Sequence, residues 1–201
     1  MKIACLDFEG VLVPEIWINL AEKTGIDDLK LTTRDIPDYD ELMRYRLRIM
    51  SDRGLGYNAL REAAGALEPL PGAAEFLHWL RATCQVAIIS DTFHELAAPL
   101  VAQLDYPMIL CHRLEIAADG SIANYRLRQK DPKRHAVKAF QSLHYEVIAA
   151  GDSYNDISML EQADHAALFC PSDKVRQDYP DFPVTETYPE LRSIFEEFVA
   201  R

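Results

Sequence analysis

At 201 residues the chain is long enough for one α/β domain with a modest insertion and short for two full domains. Its formal net charge of -11, with no long basic run to offset it, excludes nucleic acid and anionic membrane as main partners, although local cations and a metal can reverse the field inside a pocket for a phosphorylated ligand. The first acid, Asp7, arrives too early for a signal-peptide core, no run approaches about 20 apolar residues, and the four cysteines (Cys5, Cys84, Cys111 and Cys170) lack C-x-x-C spacing; the expectation is a cytoplasmic protein with buried free thiols.

In chain order, the first strand signal covers residues 2–7 and closes on Asp7. Residues 15–70 then carry several helical patterns and little strand signal, which predicts an inserted helical cap in place of a simple crossover. Within this stretch, Thr32-Thr33-Arg34-Asp35-Ile36-Pro37 reads as an interhelical loop, Gly54 with Gly56 as a second break, and Pro69, Leu70, Pro71 and Gly72 as the return to the main body. Ala73, Phe76, Leu77 and Leu80 fall at i, i+3, i+4, i+7 and predict a helix, as do Leu191, Ile194, Phe195 and Phe198 near the end. Further strand runs lie at 85–91, 108–112, 147–152 and 166–170, and Asp119-Gly120 within 113–128 signals a hairpin. Strands alternating with helices predict an α/β fold: a Rossmann-like parallel sheet with helices on both faces, its core formed by residues 1–14 and 71–201 and its small helical cap by 15–70.

Ligands of an open parallel sheet gather at the carboxyl ends of its strands, and Asp7, Asp91 and Asp152 all stand there. In Leu6-Asp7-Phe8-Glu9-Gly10 two acids sit two residues apart beside a turn glycine, so that one can act as nucleophile while the other faces the leaving group. Gly151-Asp152-Ser153-Tyr154-Asn155-Asp156 repeats the device, and a helix starting near Ser153 brings Asp156 beside Asp152, a pair suited to a hard cation such as Mg2+. Ser90-Asp91-Thr92 ends a third strand in groups that can hold phosphate oxygens, and Lys133, after Asp131-Pro132, can neutralise phosphate charge. Each motif alone also reads as an ordinary turn cap or a solvated side chain; their joint order is what carries the chemistry.

Those segments, in this order and over most of the chain, resemble the haloacid-dehalogenase phosphatases with an early helical cap. Asp7-x-Glu9-Gly10-Val11-Leu12-Val13-Pro14-Glu15, the cap arginines and the run 151–160 narrow the likeness to phosphoserine phosphatases, and to the branch of that family that is also a homoserine phosphotransferase. The resemblance implies that Asp7 is the nucleophile and Glu9 the general acid/base, and that Mg2+ binds Asp7, Asp152 and the backbone carbonyl of Glu9, supported by Asp156. It further implies that Ser90, Lys133 and Asn155 hold phosphoryl oxygens, while Glu15 pairs with the substrate ammonium and Arg46 with its carboxylate. Arg44 and Arg48 are the rivals of Arg46, since on a helix they share a face from which Arg46 points roughly opposite. The implied substrate is L-phosphoserine, with homoserine as a second acceptor; dimerisation through the hairpin is left open.

The sequence departs from the wider family at Glu9, where aspartate is usual, and at Asp91-Thr92, where phosphoserine phosphatases often have glycines. Trp17, Tyr39 and Tyr45 are expected to line or pack the cap, and His78, His94 and His135 to serve surface or packing roles. Two other readings stand beside the phosphatase: an enzyme of the same fold acting on another small phosphoester or as a mutase, and a non-catalytic phosphometabolite-binding protein. A dinucleotide-binding domain is disfavoured, because no G-x-G-x-x-G follows the first strand.

Overall fold

The computed structural model describes residues 1–33, 35–36 and 38–200. Strand β1 (Lys2–Leu6) is followed by α1 (Ile16–Thr24), a 3-10 turn (Asp27–Lys30), α2 (Tyr39–Asp52) and α3 (Tyr57–Gly65). Alternation then sets in with α4 (Ala73–Thr83), β2 (Gln85–Phe93), α5 (His94–Gln103), β3 (Ile109–Ile116) and β4 (Ile122–Arg126). The last third holds α6 (Pro132–Ser142), β5 (Glu146–Gly151), a 3-10 turn (Tyr154–Asp156), α7 (Ile157–Gln162), β6 (His165–Phe169), α8 (Asp173–Asp178), β7 (Val184–Thr185) and α9 (Tyr188–Ala200).

The strands form one 7-stranded sheet in the order β4-β3-β2-β1-β5-β6-β7. Neighbours run parallel except for the β3–β4 hairpin. β1 pairs with β2 on one side (Leu6↔Ile88) and with β5 on the other (Leu6↔Ala150), so three strand ends converge and the connections leave in opposite directions. Such a switch point leaves a crevice beyond the carboxyl ends of the strands. Successive residues of the central strands alternate between two apolar clusters. Ala4, Leu6, Ile88, Ile148 and Ala150 pack with residues of α4, α5 and α9 on one face, and Ile3, Cys5, Ala87, Ile89, Val147 and Ala149 with α6 and α7 on the other. That two-sided burial is why the strands read as almost continuous apolar runs.

The helices between β1 and α4 have no separate core. Leu20, Met43, Met50, Leu60 and Ala63 belong to the same cluster as Phe76, Leu96 and the sheet face beneath them. Their contact with the body is fixed by backbone groups as well: Leu70 N–H donates to the Leu12 carbonyl at 2.9 Å, and Tyr57 N–H to the Gly120 carbonyl at 2.9 Å. A Cβ at Gly56 would come within 2.6 Å of that same Gly120 oxygen, so the hairpin tip can approach only because residue 56 is glycine. The expected Asp119-Gly120 turn is present, with Gly120 at φ +84° and the Asp119 carboxylate accepting from Ser121 N–H at 2.9 Å.

Some expectations change. β2 continues beyond Asp91 to Phe93, and β3 runs to Ile116, so the hairpin extends the sheet instead of standing apart from it. β7 was not foreseen. Cys5 is buried and Cys84 and Cys111 are partly so, but Cys170 is exposed: it follows β6 at φ +46°, with its thiol 3.3 Å from the Glu186 carbonyl. Arg34 and Pro37, from the expected interhelical loop, lie outside the described residues. Among the described residues no helix is long and apolar enough to cross a membrane.

Candidate active site

The loop after β1 sets the first two acids. Asp7 N–H donates to the Ala150 carbonyl at 2.9 Å, which extends the β1–β5 pairing by one residue and buries the carboxylate at the sheet edge. The chain then folds back, with Leu12 and Val13 N–H both donating to the Phe8 carbonyl. Gly10 sits at φ +84°, and a Cβ there would meet the Asp152 carboxylate at 2.6 Å, so its lack of a side chain is what lets this loop lie against the Asp152 loop. Two residues beyond Asp7, the Glu9 Oε2 accepts from Ile16 N–H, at the first turn of α1, at 2.9 Å. Burial and the neighbouring Glu15 push the Glu9 carboxyl up to about 7, against the opposing pull of Ile16 N–H, the Thr92 hydroxyl and Arg46.

The second cluster lies behind Asp7. Lys133, on the first turn of α6, is 1% exposed, and its Nζ stands 2.8 Å from Asp7 Oδ1 and 2.6 Å from Asp156 Oδ1. Burial alone would discharge the ammonium, but Asp156, Asp7 and Asp91 hold its pKa well above the ordinary value. Asp156 Oδ2 accepts from the N–H groups of Asp152 and Ser153 at 3.0 and 3.1 Å, and Ser153 completes a capping box with it. Asp156 thereby shapes the loop that carries Asp152 through Oδ2 and ties it to Lys133 through Oδ1. A Cβ at Gly151 would strike Asp156 at 2.4 Å, which accounts for that glycine.

Ligand atoms of Asp7, Asp152 and Asp156 lie within 4.8 Å of one another, all three residues buried. Three carboxylates against the one charge of Lys133 leave two negative charges unmatched, and the same frustration, after burial itself, raises the pKa of Asp7 well above the carboxylate range. A hard dication with oxygen ligands answers that imbalance. The residues present therefore fit a metal of the Mg2+ kind.

In front of Asp7 is a cavity of about 70 Å³. Glu9, Ser90 and Asn155 line it from the sheet side and Glu15, Trp17 and Arg46 from the helices between β1 and α4. The Ser90 Oγ accepts from Thr92 N–H at 3.1 Å, which leaves its own proton to donate. Arg46 is 4% exposed; its guanidinium stacks 4.6 Å above the Trp17 ring, and its Nη2 donates to the Leu31 carbonyl at 2.6 Å. Its Nε has no acceptor, the one buried side-chain donor left unpaired among the described residues. Such a group costs about 1–3 kcal/mol unless a ligand supplies the acceptor. Tyr39, at the start of α2, donates its hydroxyl proton to the Asp91 carbonyl and so pins this helix over the cavity.

The nine residues to which the resemblance gives a role thus converge, six on the cavity wall and Lys133, Asp152 and Asp156 directly behind Asp7. Arg46 is separated from its rivals: Arg44 pairs with Asp40 at the surface, and Arg48 is exposed beside it. Tyr39 and Trp17 line the cavity, whereas Tyr45 lies in the surface depression with Arg44 and Arg48. Asp91 and Thr92 were placed at the strand end without a role of their own, and His112 was not singled out. Thr92 bonds Glu9, and the Asp91 carboxylate meets Asn155 Nδ2 at 2.9 Å and His112 Nε2 at 3.3 Å. For Asp91 and Thr92 the signal in the sequence was their place at the end of a strand and the departure from glycine at 91–92; for His112 there was none.

Comparison with known proteins agrees with this geometry. The chain belongs to the haloacid dehalogenase-like hydrolases, whose family profile matches residues 1–164. It is 56% identical to phosphoserine phosphatase ThrH of Pseudomonas aeruginosa over 97% of this chain and 95% of that protein. It is also 54% identical to a phosphoserine phosphatase of Pseudomonas syringae pv. tomato, over 97% and 82% of the two chains. Among solved structures, a phosphoserine phosphatase described as a phospho-aspartyl intermediate analogue superposes with a TM-score of 0.80 at 20% identity, covering 98% of both chains, which shows a shared fold.

Proposed function

We propose that the protein is a Mg2+-dependent phosphoserine phosphatase that hydrolyses L-phosphoserine to serine and phosphate through an aspartyl-phosphate on Asp7. The observation that carries this is the cavity itself: the buried Asp7 with Lys133 behind it and, on the wall formed by the inserted helices, Glu15 together with Arg46, whose buried Nε has no acceptor. A substrate with a phosphate at one end and an amino acid at the other satisfies both sides. The catalytic body is residues 1–14 and 71–201, and the cap that selects the amino acid is 15–70.

Asp7 attacks phosphorus in line while Glu9, protonated near neutral pH, gives its proton to the departing serine alkoxide. The serine leaves, and Glu9, now ionised, takes a proton from the water whose oxygen attacks the phosphorus of the aspartyl-phosphate; the bond to Asp7 breaks, phosphate departs and the Asp7 carboxylate is restored. Mg2+, held by Asp7, Asp152 and the Glu9 carbonyl, supplies charge neutralisation at the phosphoryl group when bound. Ser90, Lys133 and Asn155 hold the phosphoryl oxygens, whose spread charge is what this transition state presents. Arg46 takes the substrate carboxylate and Glu15 its ammonium, while the closed cap excludes bulk water.

Homoserine, with the same amino and carboxylate groups and one more methylene, fits the same pair, and its hydroxyl is proposed as a second acceptor. Glu9 reaches further than aspartate would, which favours an acceptor alcohol over water; Glu9→Asp should shift the ratio of phosphate to phosphohomoserine, and an unchanged ratio removes this reason. The test of the whole is phosphate release from L-phosphoserine with Mg2+ and with chelator, with and without homoserine. Mg2+-dependent turnover that vanishes in Asp7→Asn is the expected result. Absence of turnover in the parent enzyme sinks the substrate assignment.

A further inference from the structure

Two residues, the half-buried Asp91 on the cavity wall and the buried His112 beside it, have no part in the mechanism above. β2 runs on through Asp91 to Phe93 instead of turning after Ser90, and this carries the Asp91 carboxylate into the cavity wall. His112, 2% exposed, pairs with Phe93 from the adjacent strand β3. Its Nδ1 accepts from Arg128 N–H at 3.2 Å, which places the proton of the neutral ring on Nε2, 3.3 Å from Asp91 Oδ1. The other carboxylate oxygen, Oδ2, accepts from Asn155 Nδ2 at 2.9 Å and stands 4.0 Å from Lys133 Nζ. Asn155 is bound at its far end too, where its Oδ1 accepts from the Ser153 hydroxyl.

A carboxylate beside a phosphate pocket works against anion binding, so its presence needs a compensating use. Burial would also neutralise it, yet Lys133, His112 and Asn155 bring its pKa down to about 2, and it stays charged. We infer that Asp91 and His112 form a positioning pair for phosphoryl transfer: His112 fixes the Asp91 carboxylate, which in turn aims the Asn155 amide and draws the third Lys133 proton toward the cavity. The two donors are then set before substrate arrives, since Asp7 and Asp156 already engage the other face of Lys133. The inference rests on the roles given to Asn155 and Lys133 under the proposed function but not on the identity of the leaving group.

The experiment compares Asp91→Asn, His112→Phe, the double variant and His112→Gln, whose amide retains a donor for Asp91. Each is assayed with Mg2+ on L-phosphoserine and on p-nitrophenyl phosphate, and calorimetry measures binding of orthovanadate, a phosphoryl mimic, and of L-serine, which the cap recognises. Expected are kcat losses of about tenfold to a hundredfold on both substrates in Asp91→Asn and His112→Phe, with orthovanadate weakened and L-serine within about twofold of the parent. The double variant should be no worse than the singles, and His112→Gln should regain most of the loss. Turnover and orthovanadate affinity unchanged in Asp91→Asn, or orthovanadate and L-serine weakened equally in step with the melting temperature, would overturn the inference. Asp91→Asn, being isosteric, keeps the test available if His112→Phe does not fold. A parent enzyme that turns over p-nitrophenyl phosphate but not L-phosphoserine overturns the substrate assignment, and the variants on p-nitrophenyl phosphate still decide this inference.

Discussion

Glu9 is held between an unfavourable neighbour, Glu15, and the N-terminal turn of α1, and its carboxyl rises to about 7. From an ordinary 4.5 to that value the folded chain keeps a proton that the unfolded chain loses, so stability falls as pH rises across this window. Glu9→Gln carries no such charge: measured by urea unfolding with chelator present, its stability relative to the parent should grow between pH 4.5 and about 7 and level off above, by on the order of 2 kcal/mol. Its turnover should fall about a hundredfold to ten-thousandfold, the usual worth of a general acid. For Arg46→Lys the loss lies elsewhere: the stacked planar fork and the Nε donor disappear, so KM for L-phosphoserine should rise about tenfold to a hundredfold while p-nitrophenyl phosphate kinetics change little. The carboxylates, the lysine and the serine were legible in the sequence because each closes a strand or opens a helix. His112, and the contacts that Asp91 and Thr92 make, were not, because they exist only once β2 is extended and β3 lies beside it.

Among the elements, the loop 8–13 leaves no room for a side chain at Gly10. Gly10→Ala would force a Cβ to within 2.6 Å of the Asp152 carboxylate from a backbone at φ +84°. The expected outcome is an Mg2+ requirement for turnover raised at least about tenfold, read from the Mg2+ dependence of phosphate release, together with a stability loss of about 1–2 kcal/mol. An Mg2+ dependence equal to the parent's would show that the loop and Asp152 can separate. Helix α4 and helix α9 were legible from their apolar spacing, and both bury the residues that spacing named, Ile194 only in part. β7 was not, since two residues after Pro183 carry no period of their own and join the sheet only through Leu168↔Val184 and Phe169↔Thr185. The end of β2 was misplaced for a related reason: polar Ser90-Asp91-Thr92 looks like a helix cap, and only the neighbouring strand draws it into the ladder.

At the scale of the whole molecule, the alternation of strands and helices made the sheet and its two covered faces legible, while the attachment of the inserted helices was not. Their side chains share one apolar cluster with the sheet, and Tyr57, Tyr39 and Tyr125 add polar ties to Gly120, Glu95, Asp91 and Asp40. Calorimetric unfolding should therefore show one cooperative transition in which the van't Hoff and calorimetric enthalpies agree. An early step confined to residues 15–70, seen as a separate peak or as selective proteolysis there, would contradict a common core. The shared cluster also bears on how this enzyme could be remade. The segment 15–70 is no detachable cassette: transplanted into a relative, it would leave behind the patch of sheet and the hairpin tip to which it is fitted. A chimera would have to exchange Gly56 and Gly120 together, as two halves of one joint.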